Sequence, residues 1–270
     1  MNALAVGDVE VRYREEGSGR PLLALHGATL DHRSQLLSLE PVFARRQGWR
    51  RIYPDLPGHG QTAAPSRLAS HDDVVAVLAG FVEALLGEEQ FTLAGQSWGA
   101  ALARGLLETH PPRVDGLLLT VPAVRGSALP DHRVRHHEPG FDQSLRAGEE
   151  HQRGFAVWQT EAVLDAIRSQ YESGASLADG AFLDRLGAQR QGVLERPGPR
   201  MPFERPALIV CGRFDAWCGY DGAYRQLDEY PFATFAVLDG AGHGLTVERE
   251  SLYHALVHDW LDRIEAETAG

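Results

Sequence analysis

The sequence predicts an α/β fold, a mostly parallel β-sheet with helices on both faces. Two observations predict it. Short apolar runs ending in Gly or Pro recur along the chain, and helical patterns separate them. A strand that is apolar on both sides of its pleat is buried on both faces, the condition of a parallel sheet. Strands alternating with helices supply the covering layers.

The opening "LAVGDVEVRYREEGSG" alternates around Gly7-Asp8 and reads as an antiparallel hairpin. "PLLALHG" follows as the first buried strand, and "RRIYPDLPGHG" holds a shorter one cut off by Pro54. "SHDDVVAVLAGFVEALLG" reads as a helix. Ser70 is its N-cap, Asp72 and Asp73 complement the positive end of its dipole, and Gly87 stops it. "FTLAG" is a strand, and "WGAALARGLLETHP" a helix ended by Pro111. "VDGLLLTVP", "RPALIVCGR" and "ATFAVLDGAG" are further strands. The tail "TVERESLYHALVHDWLDRIEAE" carries Leu252, Leu256, Trp260 and Ile264 at helical spacing. Residues 123–203 break the rhythm, with helices and loops but no strand-like run, and "RPGPRMPFERP" as a Pro-rich return. The expected organisation is a core of 1–122 and 204–270 with a helical insertion at 123–203.

A chain of 270 residues with 43% hydrophobic content can bury one large core. Its net charge of -11 argues against nucleic acid or an anionic membrane as the main partner. Two cysteines, Cys211 and Cys218, are too few for a disulfide scaffold, so free thiols are expected. The N-terminal stretch has no basic region followed by an apolar run, and no segment approaches the ~18 apolar residues of a membrane span. The expectation is a cytoplasmic protein acting on a small molecule. Its oligomeric state is not legible.

"FTLAGQSWGAALARG" carries the chemistry. A serine between two glycines is a weak signal alone. Here it follows a strand and opens a helix, the setting in which a sharp turn exposes one hydroxyl. Gly95 and Gly99 leave room for that turn, and the helix aims its N-terminal N–H groups at Ser97. A serine hydroxyl needs a base, and the base an orienting acid. His243, in the Gly-rich loop "DGAGHG" after the last strand, lies on the same carboxyl-end rim as Ser97. Asp215, in "CGRFDAW" after the preceding strand, is the acid on that rim, and Asp239 reads as a loop cap. The backbone N–H groups of Trp98 and Ala28 are the candidate oxyanion donors, with Thr29 in reserve. Thr29, Phe155, Trp158, Trp217 and Leu245 are candidate pocket residues.

Other features carry less. His254 and His258 have a metal-face spacing but no third ligand, so they read as a solvated helix face. His26, Gly27 and His59 read as loop-shaping residues. The basic run "DHRVRHHE" reads as a solvated surface. Nothing near Cys218 in sequence marks it as a nucleophile.

Together "LLALHGAT", "YPDLPGHGQT", "LAGQSWGA", "GRFDA" and "GAGHG" resemble the α/β-hydrolase fold superfamily, in the expected order over residues 22–244. The resemblance implies an eight-stranded, mostly parallel sheet with a helical cap between strands 6 and 7. Serine at 97 is unlike the aspartate of haloalkane dehalogenases and epoxide hydrolases of this fold. "GQSWG" is similar to the elbow of proline iminopeptidases, but those carry "HGGPG" where this chain has "HGATL". Cofactor-free haloperoxidases and carbon–carbon bond hydrolases share the serine triad. The expected activity is acyl transfer from a small to medium carboxylic ester, with no metal or cofactor. The alternatives are carbon–carbon hydrolysis of a dienoate-type ketone, lactone or amide hydrolysis, and a non-catalytic ligand-binding relative.

Overall fold

The structure is a computed structural model, and it describes residues 1–187 and 201–268. In chain order it begins with β1 (Asn2–Val6), β2 (Val9–Gly17), β3 (Arg20–Leu25), α1 (His32–Phe43) and β4 (Trp49–Pro54). There follow α2 (His71–Leu86), β5 (Phe91–Gln96), α3 (Trp98–Thr109) and β6 (Val114–Thr120). The next segment holds β7 (His136–His137), α4 (Pro139–Ser144), α5 (Gln152–Phe155), β8 (Trp158–Gln159), α6 (Glu161–Ile167) and α7 (Gly180–Gly187). A π-helical turn, Arg168–Glu172, continues α6. The chain closes with β9 (Ala207–Gly212), α8 (Asp221–Tyr224), β10 (Ala233–Leu238), α9 (Leu245–Glu248) and α10 (Glu250–Thr268).

Eight strands form one sheet in the order β1-β2-β4-β3-β5-β6-β9-β10. β2 is antiparallel to both neighbours, and every other pair is parallel. Side-chain alternation along each strand divides the core. In β3, Leu23 and Leu25 pack on one face with Leu78 and Phe81 of α2 and Leu102 and Leu106 of α3. Leu22 and Ala24 face the other side, with Leu39 and Val42 of α1 and Trp260 and Leu261 of α10. Each such leucine, fully buried, contributes roughly 1.5–3 kcal/mol.

Local chemistry explains the helix ends. Ser70 accepts from Asp73 N–H, Asp73 accepts back from Ser70 N–H, and Gly87 closes α2 at φ 53°. Two expectations change. In α10 the buried stripe is Tyr253, Val257, Trp260, Leu261 and Ile264, while Leu252 is exposed. A strict four-residue spacing drifts around a helix of 3.6 residues per turn, so Leu252 and Ile264 do not share one face. Residues 136–137 and 158–159 also form a short parallel ladder where no strand was expected.

The segment between β6 and β9, the sixth and seventh strands of the sheet, builds its own small cluster. Phe141, Phe155, Leu164, Ile167 and Tyr171 pack there against Leu30. Of the Pro-rich return "RPGPRMPFERP", residues 196–200 lie outside the described residues.

The strand register brings the functional loops together. Leu25 stands opposite Gly95, Gln96 opposite Thr120, and Gly212 opposite Leu238. The residues that follow these ends, His26 to Thr29, Ser97, Arg213 to Cys218 and Asp239 to Gly244, therefore emerge at one rim.

Candidate active site

Ser97 sits between β5 and α3 with φ at 54°, a backbone state rarely taken by a residue with a side chain. The turn is held by Ser97 N–H on Thr120 C=O, and by Ala123 N–H on Ser97 C=O. It leaves no space beside it. A Cβ on Gly95 would meet Gly99 O at 2.4 Å, and one on Gly99 would meet Leu25 O at 2.3 Å and His26 O at 2.4 Å. All of these are backbone atoms, which cannot swing aside. Gly99→Ala is therefore expected to lower stability by roughly 1–3 kcal/mol or more and to cut activity with it. A thermal melt and a rate measurement check this, and wild-type values for both would show that the turn has room.

Ser97 Oγ lies 3.1 Å from His243 Nε2, and His243 Nδ1 lies 2.9 Å from Asp215 Oδ2. A carboxylate only accepts, so Nδ1–H donates to Asp215 and Nε2 is left to accept from Ser97. Asp215 is fully buried, and its Oδ1 accepts from the N–H groups of Trp217 (2.9 Å) and Cys218 (3.0 Å). Burial opposes charge on His243, but the Asp215 carboxylate overrides it and holds the imidazole pKa well above its ordinary value. Trp217 stacks on the His243 ring at 5.2 Å between centroids. Cys218 Sγ approaches Ser97 Oγ to 3.9 Å, closer than its place in the sequence suggests.

The loop after β3 is set by two neutral histidines. Burial and its neighbour His59 depress His26 to about 3, and burial lowers His59. His26 Nδ1–H donates to Gly27 C=O, and Nε2 accepts from Leu56 N–H. His59 Nδ1–H donates to Pro57 C=O, and Nε2 accepts from Thr29 N–H at 3.1 Å. Thr29, at φ 64°, has thus committed its N–H to His59. The N–H groups of Ala28 and Trp98 have no acceptor among the described residues. The Trp98 side chain is buried, and its Nε1–H donates to His71 Nδ1 at 2.9 Å. Only its backbone is available to a ligand.

Ser97, His243, Ala28, Thr29, Phe155 and Trp217 line one cavity of about 270 Å³. Two of the expected pocket residues do not. Leu245 is fully buried in the core cluster beside α10, because the helix that follows His243 turns it into the sheet. Trp158 stacks on His136 at 4.8 Å, drawn away by the short β7–β8 ladder. His254 Nε2–H reaches Ser38 C=O at 3.0 Å.

Several residues of this site had no local signal in the sequence. Gln35 Nε2 donates to Gln96, Gln96 Nε2 to Tyr171 OH, Tyr171 OH to Thr246, and Thr246 to Gln170. This buried chain ties the residue before Ser97 to α1, to α9 and to the π-helical turn, a geometry often found at functional sites. The buried carboxylate of Glu248 accepts from Val157, Trp158 and Gly242 N–H, pinning the His243 loop to the segment above it. Val157 and Trp158 lie about 90 residues from Glu248 in sequence, so only the fold reveals that contact.

Two groups of metal-type ligands stand close among the described residues: Asp215, Cys218 and His243, and Asp31, His32 and Asp55. In the first, Asp215 and His243 are engaged with each other. In the second, Asp31 caps α1 and holds Arg33, while Asp55 accepts from His32 and Gln61.

Residues 20–146 match the family model of the α/β-hydrolase fold. The chain is 31% identical to the 2-hydroxy-6-oxo-6-(2'-aminophenyl)hexa-2,4-dienoic acid hydrolase of Metapseudomonas resinovorans, over 90% of this chain and 84% of that relative. The chain belongs to the α/β-hydrolase fold family. This α/β-hydrolase is also 24% identical to a 2-hydroxy-6-oxononadienedioate/2-hydroxy-6-oxononatrienedioate hydrolase of Pseudomonas putida, over 94% of this chain and 92% of the other. Its fold matches an α/β-superfamily hydrolase from Oenococcus oeni with a TM-score of 0.86 at 24% identity, covering 98% of this chain and 100% of that one. Among the described residues, no helix of the α/β-hydrolase is long and apolar enough to cross a membrane.

Proposed function

We propose that this α/β-hydrolase is a serine hydrolase that works by acyl transfer on small to medium carboxylic esters. The observation that carries the reading is the line from Ser97 through His243 to Asp215, opening onto the cavity that Ala28 also lines. Ser97 Oγ attacks the ester carbonyl and gives its proton to His243 Nε2. Asp215 keeps Nδ1–H in place and stabilises the imidazolium. The N–H groups of Trp98 and Ala28 receive the oxyanion, each worth about 2.7–4 kcal/mol in comparable sites. The tetrahedral intermediate collapses, the alcohol leaves with the proton from His243, and water repeats the sequence on the acyl-enzyme. The helices between β6 and β9 act as the cap of the cavity and exclude water from it.

Carbon–carbon hydrolysis of a dienoate-type ketone is the second reading. Two relatives with that kind of name match nearly the whole chain. The cavity favours the ester. A dienoate carries a carboxylate, and the described lining residues include no Lys or Arg to receive it, whereas Glu172 is among them. Comparing kcat/KM for nitrophenyl acetate and butyrate with that for a 2-hydroxy-6-oxo-dienoate separates the two. The esters should be the better substrates. A dienoate cleaved faster than every ester would transfer the assignment to the second reading.

A further inference from the structure

The cavity wall contains a second polar group. His151, Gln152 and Glu172 line the same cavity as Ser97, and they bond to one another. Gln152 Nε2 donates to Glu172 Oε1 at 2.5 Å and lies 2.9 Å from His151 Nε2. A carboxylate only accepts, so the amide nitrogen must face it, and that fixes which end of the Gln152 amide is the oxygen. Gln152 is 3% exposed, and its Oε1 is buried with no hydrogen-bond partner among the described residues. A buried acceptor without a donor costs free energy, and native structures seldom keep one without a use. The Glu172 side chain is 28% exposed, and its Oε2 accepts no hydrogen bond from the described residues, while Oε1 also lies 3.7 Å from His151 Nε2.

We propose that this cluster is a recognition subsite for a protonated amine carried by the substrate. The proposal rests on the acyl-transfer reading and adds the chemistry of the substrate's non-reacting part. The acceptor a ligand can reach is the partly exposed Glu172 carboxylate, since Gln152 Oε1 is buried. A hydroxyl would bring it one uncharged donor. An ammonium group brings three N–H donors and a charge that neutralises Glu172, a charge-assisted and therefore stronger pairing. The remaining wall suits a cation as well. Phe155, Tyr171 and Trp217 line the cavity, and aromatic rings attract ammonium groups. The described lining residues include no Lys or Arg, and the charge that His243 takes up is paired with Asp215.

Calorimetry of the wild-type protein with hexylammonium and with 1-hexanol tests the subsite without any turnover. Hexylammonium should bind at least about tenfold more tightly, as a charge-assisted hydrogen bond in a desolvated site allows. The preference should collapse toward one in Glu172→Gln, which keeps the size of the side chain but not its charge. Equal affinities in the wild type, or an amine preference that survives Glu172→Gln, would overturn the proposal and leave Gln152 Oε1 to water. The kinetic counterpart compares the 4-nitrophenyl esters of 6-aminohexanoate and heptanoate. Their kcat/KM ratio should favour the amine, mainly through KM, and fall in Glu172→Gln. If hexylammonium binds as expected while neither ester turns over, the subsite stands and the acyl-transfer reading falls. If both esters turn over equally well, the acyl-transfer reading stands and the subsite falls.

Discussion

Ser97→Ala is expected to lower kcat on a nitrophenyl ester by about 10⁶-fold, the order of loss when a serine nucleophile of a triad is removed. The size of the effect follows from the geometry. His243 Nε2 has Ser97 Oγ at 3.1 Å, and the Cys218 thiol also stands beside the imidazole. Cys218 Sγ stands 3.9 Å from Ser97 Oγ, but its N–H and the turn around it serve Asp215 rather than the oxyanion donors. Alanine keeps the Cβ and loses one oxygen, so the melting temperature should hardly move. Labelling by a fluorophosphonate should vanish with the rate. The measurement is single-turnover kinetics with the wild type and the variant side by side. A variant that keeps a percent of wild-type turnover, or still takes the label, would mean that Ser97 is not the nucleophile.

The parts of this molecule that were legible in the sequence are those whose physics is local. Ser70 and Gly87 bound α2 through caps that act within four residues. The Ser97 turn is legible because its glycines answer a clash a few residues away, between Gly95 and Gly99. Asp215 and His243 are legible because loops at the carboxyl ends of parallel strands share a rim. What escaped depends on partners far along the chain. Helix α1 gives no clear apolar stripe, since Ser34, Gln35 and Ser38 are among its buried residues and Pro41 lies inside it. Gln35 is buried because Gln96 accepts from it, a contact spanning 61 residues. Trp158 and Leu245 look equivalent to Phe155 and Trp217 by composition and nearness to His243. Only the short β7–β8 ladder and the turn into α9 decide that they face elsewhere. Gln152 and Glu172 come together through the π-helical turn, which nothing in "RSQYE" announces.

Asp215→Asn is expected to reduce kcat by about 10⁴-fold, and the pH profile should show why. An asparagine amide in that position can turn its NH₂ toward Nδ1, which then carries no proton, and the proton moves to Nε2 where the base is needed. The wild-type profile follows from the His243 pKa. The general base must be neutral, and Asp215 holds its pKa well above the ordinary histidine value against the opposing effect of burial. Activity should therefore rise with pH through an ionisation above the usual ~6.5 of histidine. In Asp215→Asn the attraction is gone and burial remains, so the acid limb should shift to lower pH while the plateau falls. Stability follows the same linkage. The folded wild type holds the His243 proton more tightly than the unfolded chain does. That contribution is complete below about 6.5 and is lost as pH rises through the raised folded value. Asp215→Asn should flatten this part of the stability curve. The checks are kcat/KM and chemical denaturation measured across the same pH range. An acid limb that stays in place in Asp215→Asn would show that another group controls it, and full activity in that variant would assign the orienting role to a different acid.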